Sequence, residues 1–154
     1  MAKRRDKIRL TPEELDVFIE EQKSLQVATI NQDGTPHLST LWFAVVDGDI
    51  VFETYTKSQK IKNLERDSRI ALLLEDGLEY DKLRGVAING HAELHTDPEV
   101  VHGYALEVMD RNNPEIDREM LSKAAESMAL KRTAVVVKAE KVISWDHTKL
   151  GGTY

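Results

Sequence analysis

Residues 24–55, SLQVATINQDGTPHLSTLWFAVVDGDIVFETY, contain three strand-like runs separated by two turn signals. Residues 25–30 alternate and stop at Asn31-Gln32-Asp33-Gly34, four residues of turn composition. Residues 37–46 follow as one long strand, whose faces read His37/Ser39/Leu41/Phe43/Val45 and Leu38/Thr40/Trp42/Ala44/Val46. Neither face is purely polar, so both are expected to be at least partly covered. Asp47-Gly48 is the strongest short hairpin signal in the chain and returns it into residues 49–55. Three antiparallel strands in a row are the expected heart of the fold.

Upstream, Thr11-Pro12-Glu13-Glu14 opens a helix with a cap, a proline at the first position and a capping box. Leu15, Phe18, Ile19 and Gln22 fall on its buried face. Downstream, residues 57–66 read as a helix with Ile61 and Leu64 as its buried stripe, and residues 68–74 as a strand. Residues 75–81 form an acidic loop without calcium-loop spacing. Residues 82–94 make another long strand, in which Asn89-Gly90 marks a bulge or bend. Asp97-Pro98-Glu99 caps a helix carrying Val100, Val101, Tyr104 and Val108. Asn113-Pro114-Glu115 opens the next, with Ile116, Met120, Leu121, Ala124 and Met128 on one face. Residues 133–139 and 142–145 are two last strands before a polar tail. This order, without βαβ alternation, predicts a mainly β (α+β) fold: one curved antiparallel sheet closing toward a barrel, with flanking helices. Residues 11–154 form a single domain, preceded by a basic, flexible segment 1–10.

The chain has 154 residues, 21 Lys and Arg against 27 Asp and Glu, and a net charge of −6. Such a balance argues against a nucleic-acid footprint. The chain has no cysteine, which excludes disulfides, thiol nucleophiles and thiolate metal sites and fits a cytoplasmic setting. No apolar run reaches the roughly 18 residues of a membrane span, and the basic start lacks the apolar stretch of a secretory signal. No Gly-rich phosphate loop and no nucleophile elbow is present. His91 and His95 share a strand face about 13 Å apart, too far to hold one metal; no metal is expected.

The segment that stands out is residues 57–66, KSQKIKNLER, where Lys57, Lys60, Lys62 and Arg66 oppose only Glu65. It lies where a strand hands over to a helix. Ser58 or Thr56 caps that helix, so a hydroxyl, free backbone N–H groups and ammonium groups converge as they would on a phosphate. A solvated, solubilising helix face is the competing reading, and composition weighs the two equally.

A hairpin ending in Thr-Tyr-Thr-Lys-Ser-Gln-Lys, then a helix and an Arg-Ile-Ala-Leu-Leu-Leu strand, resembles the pyridoxamine 5′-phosphate oxidase-like split-barrel family of the FMN-binding type. Flavin-binding members grip the cofactor phosphate with a Ser-Arg-Lys run here; Ser58 and Lys60 match it, and Gln59 stands where the arginine would be. Ala28-Thr29-Ile30, Asp33-Gly34-Thr35-Pro36-His37, Leu41-Trp42-Phe43 and the ending Ser144-Trp145-Asp146-His147-Thr148-Lys149-Leu150-Gly151-Gly152 look like the flavin/deazaflavin oxidoreductase branch that often uses coenzyme F420.

The resemblance implies a homodimer of split barrels with two cofactor sites at the subunit interface. It implies that Ser39, Thr40, Leu41 and Trp42 line the ring system and that Thr54, Lys57, Ser58 and Lys60 hold the phosphate region. The tail around Trp145 and Lys149 would reach the site from its own or the other subunit. Trp42 and Trp145 also read as packing aromatics. The implied activity is hydride transfer from reduced F420 to an activated double bond of a small organic acceptor. FMN is the alternative cofactor, and a non-catalytic cofactor or tetrapyrrole binder the alternative class. No residue is assigned to the chemistry itself; Tyr80 and His37 are candidate proton donors beside water.

Overall fold

In the computed structural model, which describes residues 3–152, the run 37–46 is broken at Phe43. β1 (Ser24–Ile30) pairs antiparallel with β2 (Pro36–Trp42), Ser24 opposite Trp42 and Ile30 opposite Pro36. β3 (Ala44–Val46) pairs instead with β4 (Asp49–Tyr55) through the Asp47-Gly48 turn. Both turn residues have positive φ, 52° and 84°, as a tight hairpin of the I′ type requires.

With β5 (Arg69–Asp76), β6 (Arg84–His95) and β7 (Arg132–Asp146), the sheet has seven strands in the order β2-β1-β5-β6-β7-β4-β3. β2 and β3 are its two edges, yet only Phe43 separates them in sequence. A flat seven-strand sheet would hold its edges roughly 29 Å apart at ~4.8 Å per step. Cα atoms two residues apart reach about 7 Å at most. The sheet therefore curls until its edges meet, which makes it the antiparallel split barrel that the sequence implies.

The expectation of three consecutive paired strands is thereby corrected: β4 lies against β7 and not β2. The break is fixed from far along the chain. Phe43 is fully buried, and its carbonyl accepts a hydrogen bond from Asn112 Nδ2 at 3.3 Å. The Arg111 guanidinium lies 4.2 Å from the centre of its ring. The two expected C-terminal strands are also one. β7 runs through the exposed stretch 138–141 by a bulge: Asn89 faces Lys141 and Gly90 faces Ala139, leaving Glu140 as the extra residue. A Cβ at Gly90 would stand 2.1 Å from the Lys138 carbonyl oxygen, so the close approach requires glycine.

Phe18, Leu25, Val27, Phe43, Phe52 and Ile61 fill the barrel interior. Phe18 comes from α2 (Pro12–Glu21), which starts with the expected reciprocal capping box between Thr11 and Glu14. On the outside of β4 and β7 lies α4 (Pro98–Asn112), joining Val108 to Val51 and Val136. α4 is capped by Asp97 as expected, but it buries Val101, Ala105 and Val108 while Val100 is exposed. α5 (Arg118–Ala129) is capped by Asp117, not by Asn113, and buries Leu121, Ala125 and Ala129 with Met120 exposed.

The basic segment expected as a frayed tail is tied to the sheet over residues 8–10. After a helical turn, α1 (Arg4–Lys7), the Ile8 carbonyl accepts from the Asp146 amide at 2.7 Å. The Leu10 amide donates to Ser144 Oγ at 3.1 Å, and the Leu10 side chain is buried. Met1 and Ala2 lie outside the described residues, as do Thr153 and Tyr154 of the tail. Among the described residues no helix is long and apolar enough to cross a membrane, and no three His, Asp or Glu gather as metal ligands would.

Candidate functional site

β4 ends at Tyr55, whose carbonyl accepts from the Ser58 amide at 2.9 Å, and the chain enters α3 (Gln59–Arg66). The spacing of Ile61 and Leu64 lays this helix across one mouth of the barrel, and Asn63 between them is fully buried. Asn63 Nδ2 donates to Thr29 Oγ1 at 3.0 Å and Asn31 Oδ1 at 2.9 Å, while its own Oδ1 accepts from Gln59 Nε2 at 2.9 Å. Arg66 donates to the Ile30 carbonyl. These bonds root α3 on the end of β1 and so fix the position of its N-terminus.

Ser58 occupies the capping position with extended backbone, φ −68° and ψ 154°, but its side chain makes no capping bond. Its Oγ is buried without a hydrogen-bond partner. Two residues on, Lys60 is half-buried, and its Nζ lies 3.4 Å from Oγ1 of the buried Thr54. Burial holds the Lys60 pKa below that of an ordinary lysine. Lys57 is exposed beside it. Neither lysine makes an ion pair among the described residues. On β2, His37 and Ser39 face inward opposite Thr29 and Val27, on the face that Asn63 grips. His37 Nδ1 and Ser39 Oγ are also buried without partners.

A buried polar atom left unpaired costs about 1–3 kcal/mol. Ser58 Oγ stands at the N-terminus of α3, two residues before a half-buried ammonium that makes no ion pair among the described residues, a donor set that fits an anionic group such as a phosphate. The residues present thus suit the phosphate end of a flavin or deazaflavin. The cluster offers groups for binding and orientation; among the described residues it pairs no nucleophile with a base.

The other implied ring-lining residues divide. Strand alternation sends Ser39 and Leu41 inward, and Thr40 and Trp42 to the outer face beside Leu38. Leu38 is 72% exposed and Trp42 48%, on an edge strand. Gln26, opposite Thr40, has a buried Oε1 without a partner. The same face carries a cavity of about 320 Å³ lined by Ala28, Ile30, Ala71, Asn89 and His91. His91 is committed to Ser68 Oγ at 2.8 Å and to Glu140 at 3.1 Å.

Trp145 and Lys149 are not brought to this cluster within one chain. Thr133 faces Thr54, and Trp145 lies twelve residues further along β7, a contour of roughly 40 Å. Trp145 covers Gly85, where a Cβ would meet its ring at 2.1 Å. Lys149 Nζ donates to the Arg9 carbonyl at 2.8 Å and to Glu14 Oε2 at 2.5 Å. The Lys149 hydrogen bond, with the Thr11 amide, holds the Glu14 carboxyl below its usual range. Tyr80 belongs to this end as well: its carbonyl accepts from His147 Nδ1 at 2.8 Å, and the two rings lie 4.6 Å apart.

Sequence reading missed the Asn63 network and Gln26. Their signals were an amide flanked by the buried stripe of α3 and one long polar side chain in the otherwise apolar or small run 25–30. Gln59, at the arginine position of the resembling family, spends its amide on Asn63.

The family model described as pyridoxamine 5′-phosphate oxidase matches residues 11–146. The crystal structure of the conserved hypothetical protein Rv2991 from Mycobacterium tuberculosis shares 40% identity with a TM-score of 0.90, covering 99% of this chain and 95% of that one. An F420 reductase shares 24% identity with a TM-score of 0.67, over 86% of this chain and 98% of that one. HutZ, the heme storage protein from Vibrio cholerae, shares 17% identity with a TM-score of 0.66, over 89% and 96%. The last two likenesses concern the fold alone. No curated protein matches the sequence. A family match over residues 11–146 means that the chain, a barrel closed at Phe43 with a candidate anion cradle at α3, belongs to the pyridoxamine 5′-phosphate oxidase family.

Proposed function

We propose that the protein is an oxidoreductase that binds reduced coenzyme F420 and directs its hydride to an activated double bond of a small organic acceptor. The family has a flavin-binding fold and includes oxidoreductases. The observation that carries the reading is the buried, unpartnered Ser58 Oγ at the start of α3, two residues before the half-buried Lys60, which makes no ion pair among the described residues. Lys57, Ser58, Lys60 and Thr54 hold the acidic end of the cofactor, and Ser39 and Leu41 face the same mouth. The bound cofactor supplies the hydride; the protein supplies position, exclusion of water and charge. The choice of F420 over FMN rests on Gln59 in place of an arginine and on the further cation Lys62.

The protein works as a homodimer in this reading. A second copy covers the outer face of β2, where Leu38, Thr40 and Trp42 stand on an unpaired edge. Trp145 and Lys149 would join the site only from that second copy.

Titrating F420 and FMN separately while following tryptophan fluorescence tests the cofactor. Saturable quenching by F420 with Kd well below that of FMN is expected. Tight FMN binding without F420 binding reverses the choice. Supplying the reduced cofactor with quinones, enones and biliverdin tests catalysis; no cofactor oxidation above the buffer rate makes the protein a binding module. Sedimentation at micromolar concentration should give twice the 17.5 kDa chain mass.

A further inference from the structure

At the other end of β4 from the anion cradle, α2 does not seal the barrel. Between α2, the β3–β4 hairpin and β7 lies a cavity of about 390 Å³. At roughly 30 Å³ each it has the volume of about 13 waters, within the lower range of small-molecule sites. Its walls are aliphatic: Leu15 and Ile19 from α2, Val45 and Ile50 from the hairpin, and Val137 and Val142 from β7. Ile50 and Thr54 are four residues apart on β4, about 13 Å, so this chamber is separate from the cradle.

Its rim is acidic. Asp16 and Glu20, one turn apart on α2, and Asp49 at the hairpin are its acidic lining residues. The cations facing them are Arg111, with Nε 4.0 Å from Glu20, and Lys138, with Nζ 2.5 Å from Asp49. Arg111 is committed elsewhere, since its guanidinium donates to the Ile19 carbonyl at 2.9 Å and the Glu20 carbonyl at 3.2 Å and lies over Phe43. Asp16 has no ion pair among the described residues. Asp16 and Glu20 stand at the spacing where like charges on a helix repel, and a cation between them relieves that repulsion. An aliphatic chamber of this size under an uncompensated carboxylate selects a ligand with an apolar body and one positive end.

We propose that this chamber is a second binding site, for a small primary amine with an apolar body of about ten carbons. Carboxylates are turned away by the rim, and neutral molecules of the same shape keep only the apolar contacts. The site is independent of the cofactor reading.

The test uses the intact protein with methyl-labelled Leu, Ile and Val, and three probes of one shape: 4-phenylbutylamine, 4-phenylbutanol and 4-phenylbutanoate. The amine should shift the methyl signals of Leu15, Ile19, Val45, Ile50, Val137 and Val142 saturably. It should bind at least tenfold tighter than the carboxylate. Asp16→Asn, on an exposed part of α2, should weaken the amine about three- to fivefold and leave the alcohol unchanged. Val142→Trp, at a position 46% exposed, should fill the chamber and abolish binding of all three while cofactor affinity is retained. Equal affinity for amine and carboxylate, shifts confined to other methyl groups, or no saturable shift overturns the proposal. Movement of the same signals on dilution of the protein alone would mean that a second copy occupies the chamber, and would overturn it equally.

Discussion

The two ends of β7 treat their polar groups in opposite ways. Near Asp146 the charged and ring groups pair: Lys149 with Glu14 and the Arg9 carbonyl, Arg84 with Asp76 and Glu21, His147 with the Tyr80 carbonyl, and among the described residues no buried polar side-chain atom there lacks a partner. Trp145 there is packed over Gly85. Near Thr133, under α3, Ser58 Oγ, Ser39 Oγ and His37 Nδ1 are buried unpaired, and Lys60 has only a long contact with Thr54. Folding favours paired groups, since each unpaired buried one costs about 1–3 kcal/mol. On the proposed reading, the end that keeps several unpaired receives the cofactor, and the paired end is scaffold. Both contain lysines, so residue type alone does not separate them; pairing does.

The comparison is broken most severely at Asn63, which belongs to the unpaired end yet holds it in place. Asn63→Ala should leave Thr29, Asn31 and Gln59 without their partner. A stability loss of about 2–4 kcal/mol is expected. Thermal denaturation should show Tm lower by roughly 4–16 °C. Cofactor affinity should fall with it, because the N-terminus of α3 is no longer fixed. A Tm within a degree of the parent would mean that the network does not anchor the helix.

Lys60→Ala should separate function from stability. Loss of a charge-assisted contact to the bound anion should cost about 1.5–3 kcal/mol of affinity, roughly 10- to 140-fold in Kd. Tm of the ligand-free protein should not drop, since the lysine has no ion pair there to lose. Isothermal titration beside thermal denaturation reads both. A fallen Tm with unchanged affinity would put Lys60 in the scaffold with Lys149.

How much of this was legible in the sequence depended on distance along the chain. The Asp47-Gly48 hairpin, the Thr11 capping box and the Asp97 cap were readable because residues within four positions determine each. The break at Phe43 was not, because TLWFAVV alternates without glycine or proline and the cause is Asn112 and Arg111, on a helix reached much later. β7 read as two strands because the charged pair Glu140-Lys141 interrupts its β-branched runs; the bulge there is signalled by Gly90 on the neighbouring strand. Asn113-Pro114 imitated a helix start that Asp117 provides. At the site, position and charge could be read from residues 57–60. The unpaired state of Ser58 and the outward turn of Thr40 and Trp42 could not, since both depend on which strand covers which.

Gly85→Ala probes the paired end with a smaller expected effect. The added methyl would meet the Trp145 ring at 2.1 Å, and overpacking of this kind costs about 1–3 kcal/mol. Tm should fall by roughly 2–12 °C. Adding Trp145→Leu should recover part of the loss, a coupling that a double-mutant cycle measures. Independent, additive losses would show that Trp145 does not pack there in solution, and would favour its extending to the site of a second copy.

The smallest effect, and the one that reads the unpaired end most directly, is the pH dependence of Lys60. Burial lowers its pKa, so the native state gives up that proton at lower pH than the unfolded chain does. The destabilisation from the buried charge is therefore fully present below the folded-state pKa, and it lifts as pH rises from there toward the ordinary value of 10.5. Anion binding runs the other way, because it needs the ammonium. Affinity for the acidic end of the cofactor should hold at neutral pH and weaken as pH rises through the lowered Lys60 pKa, before an ordinary lysine would titrate. Lys60→Arg keeps its charge above pH 12 and should remove this alkaline fall while retaining most of the neutral-pH affinity. An unchanged alkaline profile in Lys60→Arg would mean that a different group carries the anion, with Lys57 on the exposed side of the same turn the next to test by the same substitution.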